Sequence, residues 1–536
     1  MEKVKCQEAE AGGKVVEAVR PRGQKYILDK WTYHLPSHTI PSADIRETLA
    51  TDVVVVGAGT SGKAAALAAR QAGARVIQID RHTTFRWGGG HIAAIDSRLQ
   101  KKLGIKVDKD EVCLQLMRYA GNYPDQRKIR LWADYSGETL DWVMDMTDPE
   151  GIQTLIYQWP RPAGYDLKTE YYPEYPVCHW QTDGVNPPSS QSLNHSLALN
   201  VLQKHALKSG VDIRYQTRAI QLVRQEGGRV CGVIALDKEG NYVQFNARKA
   251  VVLCTGEYGN NPWMMRKYCP DHADIALESN IYMIQHEDLL AAPEPLNTGD
   301  GHQMAMRIGA VMEPGPHAPV AHCSWAGPLG VDPFLRVNRE GERYENEDVP
   351  PQSIANSLDR QPGKIAWQVF DSKWEEEIPS MGVGLCRYYE VSDKLREILE
   401  NKTTVKAGSL EELAAKINVP VQAFKATVER YNRMAKMGKD LDFGKRADRL
   451  TTIDKPPFYA GATKHDFLVV MGGLNTNIKM QPLDSDRKVI PGLYCAGNTV
   501  GNRFAIDYPT MCPGLTHGMA YVTGRLAGLY AARENV

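Results

Sequence analysis

The stretch DVVVVGAGTSGKAAALAARQAGARVIQID, residues 52–80, decides the fold class of this 536-residue chain. Its four consecutive valines predict a short strand that is buried on both faces of a parallel sheet. Gly57, Gly59 and Gly62 follow at once in the pattern G-x-G-x-x-G. In this pattern the first glycine permits a tight turn, the second lets backbone approach a pyrophosphate, and the third lets a helix pack on the strand. The stretch therefore predicts the start of a nucleotide-binding α/β domain.

The second half of the stretch completes this unit. The alanine-rich run Lys63–Ala72 predicts a helix that Gly73 can end, and free N–H groups at the start of such a helix can hold phosphates. A second strand, RVIQID, ends in Asp80, whose carboxylate can accept from ribose hydroxyls. These features predict a dinucleotide ligand, and both NAD and FAD fit them.

The segment that follows Asp80 favours FAD. Gly88, Gly89 and Gly90 form a triplet soon after the acid. A run of glycines lets the main chain lie against a flat, extended ligand, which suits an isoalloxazine ring that continues from the same pyrophosphate.

Two more junctions between a strand and a glycine follow, one in the middle of the chain and one near its end. They lie in ARKAVVLCTGEYGNN (247–261) and VIPGLYCAGN (489–498), and the small and apolar residues of LTHGMAYVTGRLAGLYAARE predict a buried final helix. Three such junctions separated by hundreds of residues predict a nucleotide domain that both ends of the chain build, with a long insertion between them.

Composition excludes several other classes of protein. Lys+Arg and Asp+Glu both count 64, and no charge run stands out, so we expect no nucleic-acid partner. We also expect no secretory signal and no membrane span, because no run of 18 apolar residues occurs. The ten cysteines are scattered without a Cys-x-x-Cys pair, which predicts no metal site and fits a reducing cytoplasm.

Several segments together resemble one superfamily. LNTGDGHQMAMRIGA (296–310), LRVNREGERYENE (335–347), MGGL (471–474) and IPGLYCAGN, with the N-terminal fingerprint, are similar to the FAD-binding flavoproteins of the fumarate reductase and 3-ketosteroid dehydrogenase superfamily. The resemblance implies an α/β fold: a Rossmann-like FAD-binding domain of the GR2 type with an inserted α+β capping domain, and the flavin at their interface. The expected domains are an N-terminal arm (1–49), the FAD-binding domain (50–275 and 455–536) and the capping domain (276–454).

The same resemblance implies a set of cofactor contacts. The residues expected to contact FAD are Gly57, Ala58, Gly59, Ser61, Gly62, Asp80, Arg81, Gly88, Gly89, Gly90, Ala219, Thr255, Gly256, Asp300, Gly497, Asn498, Leu515 and Thr516. Asn498 stands where many relatives have an acid. Some relatives attach FAD to a histidine near the position of His82, but the loop after Asp80 is short here. We therefore expect His82 to be a surface residue and FAD to be held without a covalent bond.

The dicarboxylate branch of the superfamily has a cationic substrate site that this chain does not reproduce. In that branch a proton-donating arginine follows the pattern G-x-R-F-x-N-E by four residues, and a histidine pair precedes M-G-G. Here Pro351 holds the arginine position, and Leu468 and Val469 hold the histidine positions. Proline, leucine and valine cannot bind a carboxylate, so the departures predict a substrate without charge.

The ketosteroid branch offers a closer parallel in GNRFAIDYPTMCPG (501–514). In that branch a tyrosine of a Tyr-Pro, glycine-rich segment helps to polarise the carbonyl of a neutral, flat enone. Tyr508 resembles it, since a phenol with pKa about 10 can donate a hydrogen bond or a proton at neutral pH. Arg503 is the second catalytic candidate, with a structural ion pair that supports the loop as its alternative role.

The sequence leaves several functions open. The leading one is an FAD-dependent ene-reductase or dehydrogenase of a small-molecule enone, with NAD(P)H, reduced flavin or a redox protein as external electron partner. Its rivals are a reductase of an unsaturated carboxylate with a rebuilt clamp, an amine or hydroxy-acid oxidase, and a redox sensor without turnover. The rebuilt clamp would use Arg503 with Arg161 or Arg387. The aromatic segment 157–180 can line an apolar pocket, pack on itself or form a dimer contact.

Overall fold

The chain forms two compact units in the computed structural model. The first comprises Met1–Trp159, Tyr175–Pro319 and Val469–Val536, and the second comprises Pro160–Glu174 and Val320–Leu468. The structure describes residues 17–19, 25–27, 35, 39–86, 88–157, 170–184, 196–224, 227–274, 297–321, 329, 332–381, 404–464 and 467–535. The division into arm, FAD-binding domain and capping domain at the boundaries given above stays a prediction.

A seven-stranded sheet is the framework of the first unit. In spatial order its strands are Asp212–Arg214, Val76–Ile79, Ile45–Val56, Tyr242–Leu253, Val230–Leu236 and Arg218–Arg224, and Leu493–Cys495 pairs with the end of Tyr242–Leu253. The first four and Leu493–Cys495 run parallel, whereas the other two are antiparallel. Because the central strands are covered on both faces, their sequences are continuous apolar runs such as Val53–Val56.

The first and last helices of this unit pack closely on each other. The helix Thr60–Gln71 begins directly after the first glycines, and its residues 61–69 are all buried. The final helix is Leu515–Ala532, as the small and apolar composition predicts. A Cβ atom on Gly524 or Gly528 would overlap backbone oxygens of the first helix, so glycine at these two positions permits the close approach.

The remaining elements of the first unit surround this centre. A three-stranded antiparallel sheet contains Ile92–Ala93, Cys178–Thr182 and Gln153–Ile156, and an isolated hairpin contains Glu17–Val19 and Lys25–Ile27. The further α-helices are Arg98–Lys102, Lys109–Tyr119, Gln126–Thr147, Ser196–Lys208, Pro262–Tyr268 and Asp300–Arg307. Short 3-10 helices cover Ser42–Asp44, Asp148–Glu150, Pro270–His272 and Gly497–Thr499. Strands Pro319–Ala321 and Phe467–Val470 lie where the chain passes between the units.

The second unit has an α+β fold. Its antiparallel sheet has the order Leu335–Asn338, Ile365–Asp371, Phe458–Lys464 and Thr404–Ala407. Its helices are Pro351–Leu358, Trp374–Glu377, Leu410–Ile417 and Val421–Met437, with 3-10 turns at Pro362–Lys364, Ile378–Ser380 and Ala447–Arg449. Apolar residues recur at helical spacing throughout residues 409–437. The stretch nevertheless forms two helices, because Asn418 adopts a left-handed conformation and Pro420 has no N–H to continue the first. The predicted fold class is confirmed.

The motif G-E-R-Y-E-N-E forms a buried ion-pair network in the second unit. The Arg343 guanidinium donates to both carboxylate oxygens of Glu347 at 2.8 Å and to both of Asp440 at 2.9 Å. The side chains of Glu347 and Asp440 are fully buried and that of Arg343 is 4% exposed. This cluster of charges holds the loop after Met437 to the sheet.

Arg343→Met should weaken the second unit strongly. Removing one partner of a buried ion pair leaves charges uncompensated and costs about 3–5 kcal/mol. The opening free energy of helix Val421–Met437, measured by hydrogen exchange, should fall by that amount. Arg430→Met is the matched control, because Arg430 pairs with Asp442 at the surface and should change the exchange little. Equal effects of the two substitutions would contradict this role for the network.

Candidate cofactor and active site

The first glycine loop has the geometry of a nucleotide-binding turn. Gly57 N donates to Ile79 O at 2.8 Å, and a Cβ atom on Gly62 would overlap the carbonyl of Gly57. Ala58 N donates to Asp80 Oδ2 at 2.7 Å, which links the turn to the acid at the end of the second strand. Burial raises the pKa of Asp80, against the opposing effect of the backbone N–H groups of His82 and Ala58.

The start of the first helix fits a phosphate group. Its N-cap residue is Gly59, and no side chain caps the helix. Among the described residues, the only atom within 4 Å of a Cβ atom built on Gly59 is Arg86 O, at 3.6 Å, so these residues leave space in front of the helix. Arg86 Nε is buried and has no hydrogen-bond partner among the described residues. An uncapped helix start with space in front of it suits the pyrophosphate of FAD.

The three predicted junctions between strand and glycine meet in the structure. Thr499 Oγ1 accepts from Thr255 N and donates to Gly256 O, both at 3.2 Å. A Cβ atom on Gly497 would lie 2.6 Å from Ser61 Oγ, so this glycine, which has a φ of +64°, lies against the first helix. Residues that are more than 400 positions apart therefore form one surface.

The glycine triplet lies beside the start of the final helix. His517 Nδ1 donates to His91 O at 2.9 Å, and a Cβ atom on Gly89 would be 3.2 Å from His517 Cε1. Leu515 and Thr516 begin this helix after Gly514, and no side chain caps it. The triplet thus borders a second uncapped helix start.

Asp300 is held by cations rather than left open. Arg218 Nε donates to Asp300 Oδ2 at 2.9 Å, Arg81 Nη1 lies 3.3 Å from the same oxygen, and Thr298 Oγ1 donates to Oδ1 at 2.7 Å. Burial acts to raise the pKa of Asp300, but Arg81 and Arg218 outweigh it and the pKa is lowered. Ala219, the next residue of the Arg218 strand, is buried in the core.

Lys63 and His82 are more buried than the sequence suggests. Lys63 lies on a helix of alanines yet is fully buried, with Nζ 2.5 Å from Gln203 Oε1 and 3.0 Å from Tyr215 OH. Burial lowers the pKa of Lys63 to about 7. The His82 side chain, which the sequence predicts to lie at the surface, is half-buried. Its pKa is lowered to about 3, mainly by this burial.

Arg503 is enclosed by its own loop. Its side chain is 1% exposed. Nε donates to Val500 O at 2.8 Å and Nη2 donates to Asn498 Oδ1 at 3.1 Å. Burial lowers the pKa of Arg503 to about 10. Arg503 forms no ion pair with any described residue, and it supports the loop through these hydrogen bonds instead.

Two buried charges that the sequence analysis missed hold the same loop. Lys128 Nζ donates to Gly501 O at 2.8 Å. The Glu313 carboxylate accepts from Gly473 N at 2.9 Å and from Asn502 N at 2.7 Å. The one available signal for Lys128 was its place on the buried face of the helix Gln126–Thr147.

Tyr508 presents its hydroxyl to the start of the final helix. The side chain is 5% exposed, and its oxygen lies 3.3 Å from Thr516 Oγ1. Burial raises the pKa of Tyr508, against the effect of its hydrogen bonds with the side chain and backbone N–H of Thr516. The raised pKa keeps the phenol protonated at neutral pH.

The apolar residues at the positions that depart from the dicarboxylate pattern are wholly or partly buried. Pro351 is buried at the start of its helix, Val469 is buried, and Leu468 is half-buried. None of the three can supply a charged contact.

The aromatic segment divides between core and surface. Tyr175 and Trp180 are buried, whereas Tyr171 and Tyr172 are exposed. The Tyr157 ring packs edge-on against His91, with 4.9 Å between centroids. Trp159, Arg161, Tyr165 and Arg387 lie outside the described residues.

Comparison with known proteins places this geometry in context. Residues 52–509 match the family model described as FAD binding domain. The vinyl phenol reductase of Lactiplantibacillus plantarum is 30% identical over 516 residues, which cover 90% of this chain and 96% of that protein. A protein named probable fumarate reductase, from Shewanella frigidimarina, is 27% identical over 500 residues, covering 90% of this chain and 75% of its own.

A solved structure is similar over nearly the whole chain. It is the 3-ketosteroid-Δ4-(5α)-dehydrogenase of Rhodococcus jostii in complex with 4-androstene-3,17-dione, with a TM-score of 0.70 and 25% identity. The match covers 92% of this chain and 99% of that one. Separately, no helix among the described residues has both the length and the apolar character required to cross a bilayer.

Proposed function

The chain belongs to the FAD-binding domain family of flavoproteins, and from that premise we propose that it reduces, or in reverse forms, the activated C=C bond of a neutral, flat enone such as a 3-ketosteroid-like compound. It is an FAD-dependent oxidoreductase. When bound, FAD supplies hydride transfer at N5. The protein must then bind the enone, polarise its carbonyl and provide a proton.

The residues proposed to hold FAD lie where the fold leaves open donors. The helix start at Gly59 would take the pyrophosphate, and Asp80 would take a ribose hydroxyl. The Gly88–Gly90 triplet and the helix start at Leu515 would border the ring system. The Asp300 carboxylate already has three donors, so its contribution is to hold Arg81 and Arg218 in place.

The observation that carries the proposal of a neutral substrate is the enclosure of Arg503. A substrate carboxylate is best held by a guanidinium that offers two parallel N–H groups. In this chain two of the three guanidinium nitrogens of Arg503 donate to Val500 O and Asn498 Oδ1. With Pro351, Leu468 and Val469 at the other charged positions of the dicarboxylate branch, a neutral olefin is the substrate class that these residues suit.

Tyr508 is the proposed polariser of the carbonyl. Reduction of an enone adds a hydride at the β-carbon and a proton at the α-carbon, while negative charge develops on the carbonyl oxygen. A phenol that keeps its proton can donate to that oxygen. This role agrees with the buried, protonated state of Tyr508.

The similar proteins support both a neutral and a charged substrate. Vinyl phenol carries no carboxylate, and 4-androstene-3,17-dione is a neutral enone. The fumarate reductase name favours the rival, a reductase of an unsaturated carboxylate. The electron partner is proposed to be external: NAD(P)H, reduced flavin or a redox protein.

A reoxidation assay tests this function. The flavin is photoreduced without oxygen and mixed with 4-androstene-3,17-dione or with fumarate. We expect the steroid to reoxidise it and fumarate to leave it reduced. Reoxidation by fumarate alone would establish the carboxylate reductase, and no reoxidation by any alkene would indicate a redox sensor. Rapid reoxidation by oxygen with no alkene turnover would indicate an oxidase.

Arg503→Met separates the two substrate classes further. Measured at saturating FAD, the variant should keep the KM for a neutral enone within about twofold, because the guanidinium does not contact the substrate in this account. Arg487→Met, at a turn of the first unit, is the control for loss of an arginine. A large rise in KM that is confined to unsaturated acids would favour the carboxylate reductase.

A further inference from the structure

The loop Gly497–Arg503 is held by three buried ionisable side chains from distant parts of the chain. Arg503 donates to Val500 O, Lys128 donates to Gly501 O, and Glu313 accepts from Asn502 N. These side chains are 1%, 4% and 3% exposed, respectively. Three consecutive residues of the loop thus each have a hydrogen bond with a buried ionisable side chain.

Burial of three charges for one short loop is costly. Taking each ion out of water costs several kcal/mol, which good geometry and further hydrogen bonds must offset. Here Glu313 also accepts from Gly473 N, and Arg503 also donates to Asn498. Apolar packing would stabilise a merely structural turn at lower cost, so the arrangement points to a loop whose position matters.

Asn498 is the one residue of Gly497–Val500 that is not buried. Arg503 has only donors, so the atom that it contacts at 3.1 Å must be the amide oxygen Oδ1. The amide Nδ2 makes no hydrogen bond with any described residue and is therefore left as a donor. Its neighbours Gly497 and Thr499 contact Ser61 and Gly256 of the other two junctions.

The third guanidinium nitrogen of Arg503, Nη1, does not give this side chain a role in substrate binding. Nη1 is buried without a hydrogen-bond partner among the described residues. Arg503 and Lys128 line an internal cavity of about 10 Å³, which has room for about one water molecule. A substrate group does not fit there.

We propose that Arg503 is a cofactor-positioning residue: together with Lys128 and Glu313 it fixes the loop Gly497–Arg503 so that the Asn498 amide donates a hydrogen bond to FAD. Arg503 acts through Asn498 and does not itself contact the cofactor. The proposal concerns how the cofactor is held and does not depend on which olefin is reduced.

The test is a double-mutant cycle on FAD affinity, with the apoprotein titrated with FAD and no substrate present. Arg503→Met and Asn498→Leu should each raise the Kd for FAD about tenfold or more. The double variant should be no weaker than the worse single variant, because both changes remove one interaction. Arg503→Lys should recover part of the affinity, since an ammonium can still donate to Asn498 Oδ1 or to Val500 O. Lys128→Met should weaken FAD binding, whereas Arg127→Met, at the exposed neighbouring position, should not.

A purely structural role would give a different pattern. Additive losses in the double variant, or an unchanged Kd in Arg503→Met, would overturn the proposal. If Arg503→Met does not fold, as judged by circular dichroism, the cycle is made with Arg503→Lys, which keeps the buried charge. Because no alkene is present, these outcomes are independent of the substrate assay.

Discussion

Gly59→Val should yield a folded protein that contains no FAD. In the part of the chain that the structure describes, the added Cβ meets one atom within 4 Å, Arg86 O at 3.6 Å, which is an ordinary contact. The same space is where the pyrophosphate must approach the helix start. Purified Gly59→Val should therefore lack the visible absorbance of bound flavin and should fail to take up added FAD.

Gly408→Val is the matched control for this substitution. Gly408 also has a negative φ, and a Cβ atom there would make only an ordinary contact of 3.5 Å with Glu412 Oε2, in the second unit. It should leave FAD content unchanged. A yellow Gly59→Val protein with normal FAD affinity would contradict the assignment of this helix start to the pyrophosphate.

Tyr508→Phe should lower turnover with a neutral enone by about 10²-fold or more, the usual contribution of a positioned acid or hydrogen-bond donor. The ring would still fill its place beside Phe504, whose centroid is 5.1 Å away, so folding and FAD content should not change. Because burial raises the pKa of Tyr508 from 10, wild-type turnover should show no loss from ionisation of this phenol below pH 10. The measurement is kcat over a pH series at saturating enone and FAD.

Tyr521→Phe is the control for loss of a buried phenol from the same unit. Tyr521 is buried in the middle of the final helix, away from its first turn. The substitution should change kcat by no more than about twofold. A near-normal kcat in Tyr508→Phe would show that Tyr508 is a core residue without a role in catalysis.

The sequence was sufficient for the parts of the fold that local patterns encode. The valine strand, the G-x-G-x-x-G turn and the small residues of the last helix each have a direct physical meaning, so the strand–turn–helix unit at Gly57 and the final helix could be predicted. The break at Asn418 was harder, because apolar spacing continues across it and only Pro420 signals a new helix.

The charged network around the loop Gly497–Arg503 could not be predicted. Lys128 and Gly501 are 373 positions apart, and a lysine on a helix is usually solvated. Arg503 looks like a substrate ligand in the sequence, and its role depends on whether Val500 O and Asn498 Oδ1 face its guanidinium. Contacts between residues that are distant in the chain produce no periodic pattern in a single sequence.

The central claim is that the reacting olefin is electroneutral, and a matched pair of alkenes tests it most directly. 4-Phenylbut-3-en-2-one and cinnamate share the same styryl alkene and differ in a methyl ketone against a carboxylate. Each is mixed anaerobically with the photoreduced protein, and the rate of flavin reoxidation is measured. The account predicts that the ketone reoxidises the flavin at least about 10²-fold faster than the acid. Faster reoxidation by cinnamate would contradict it.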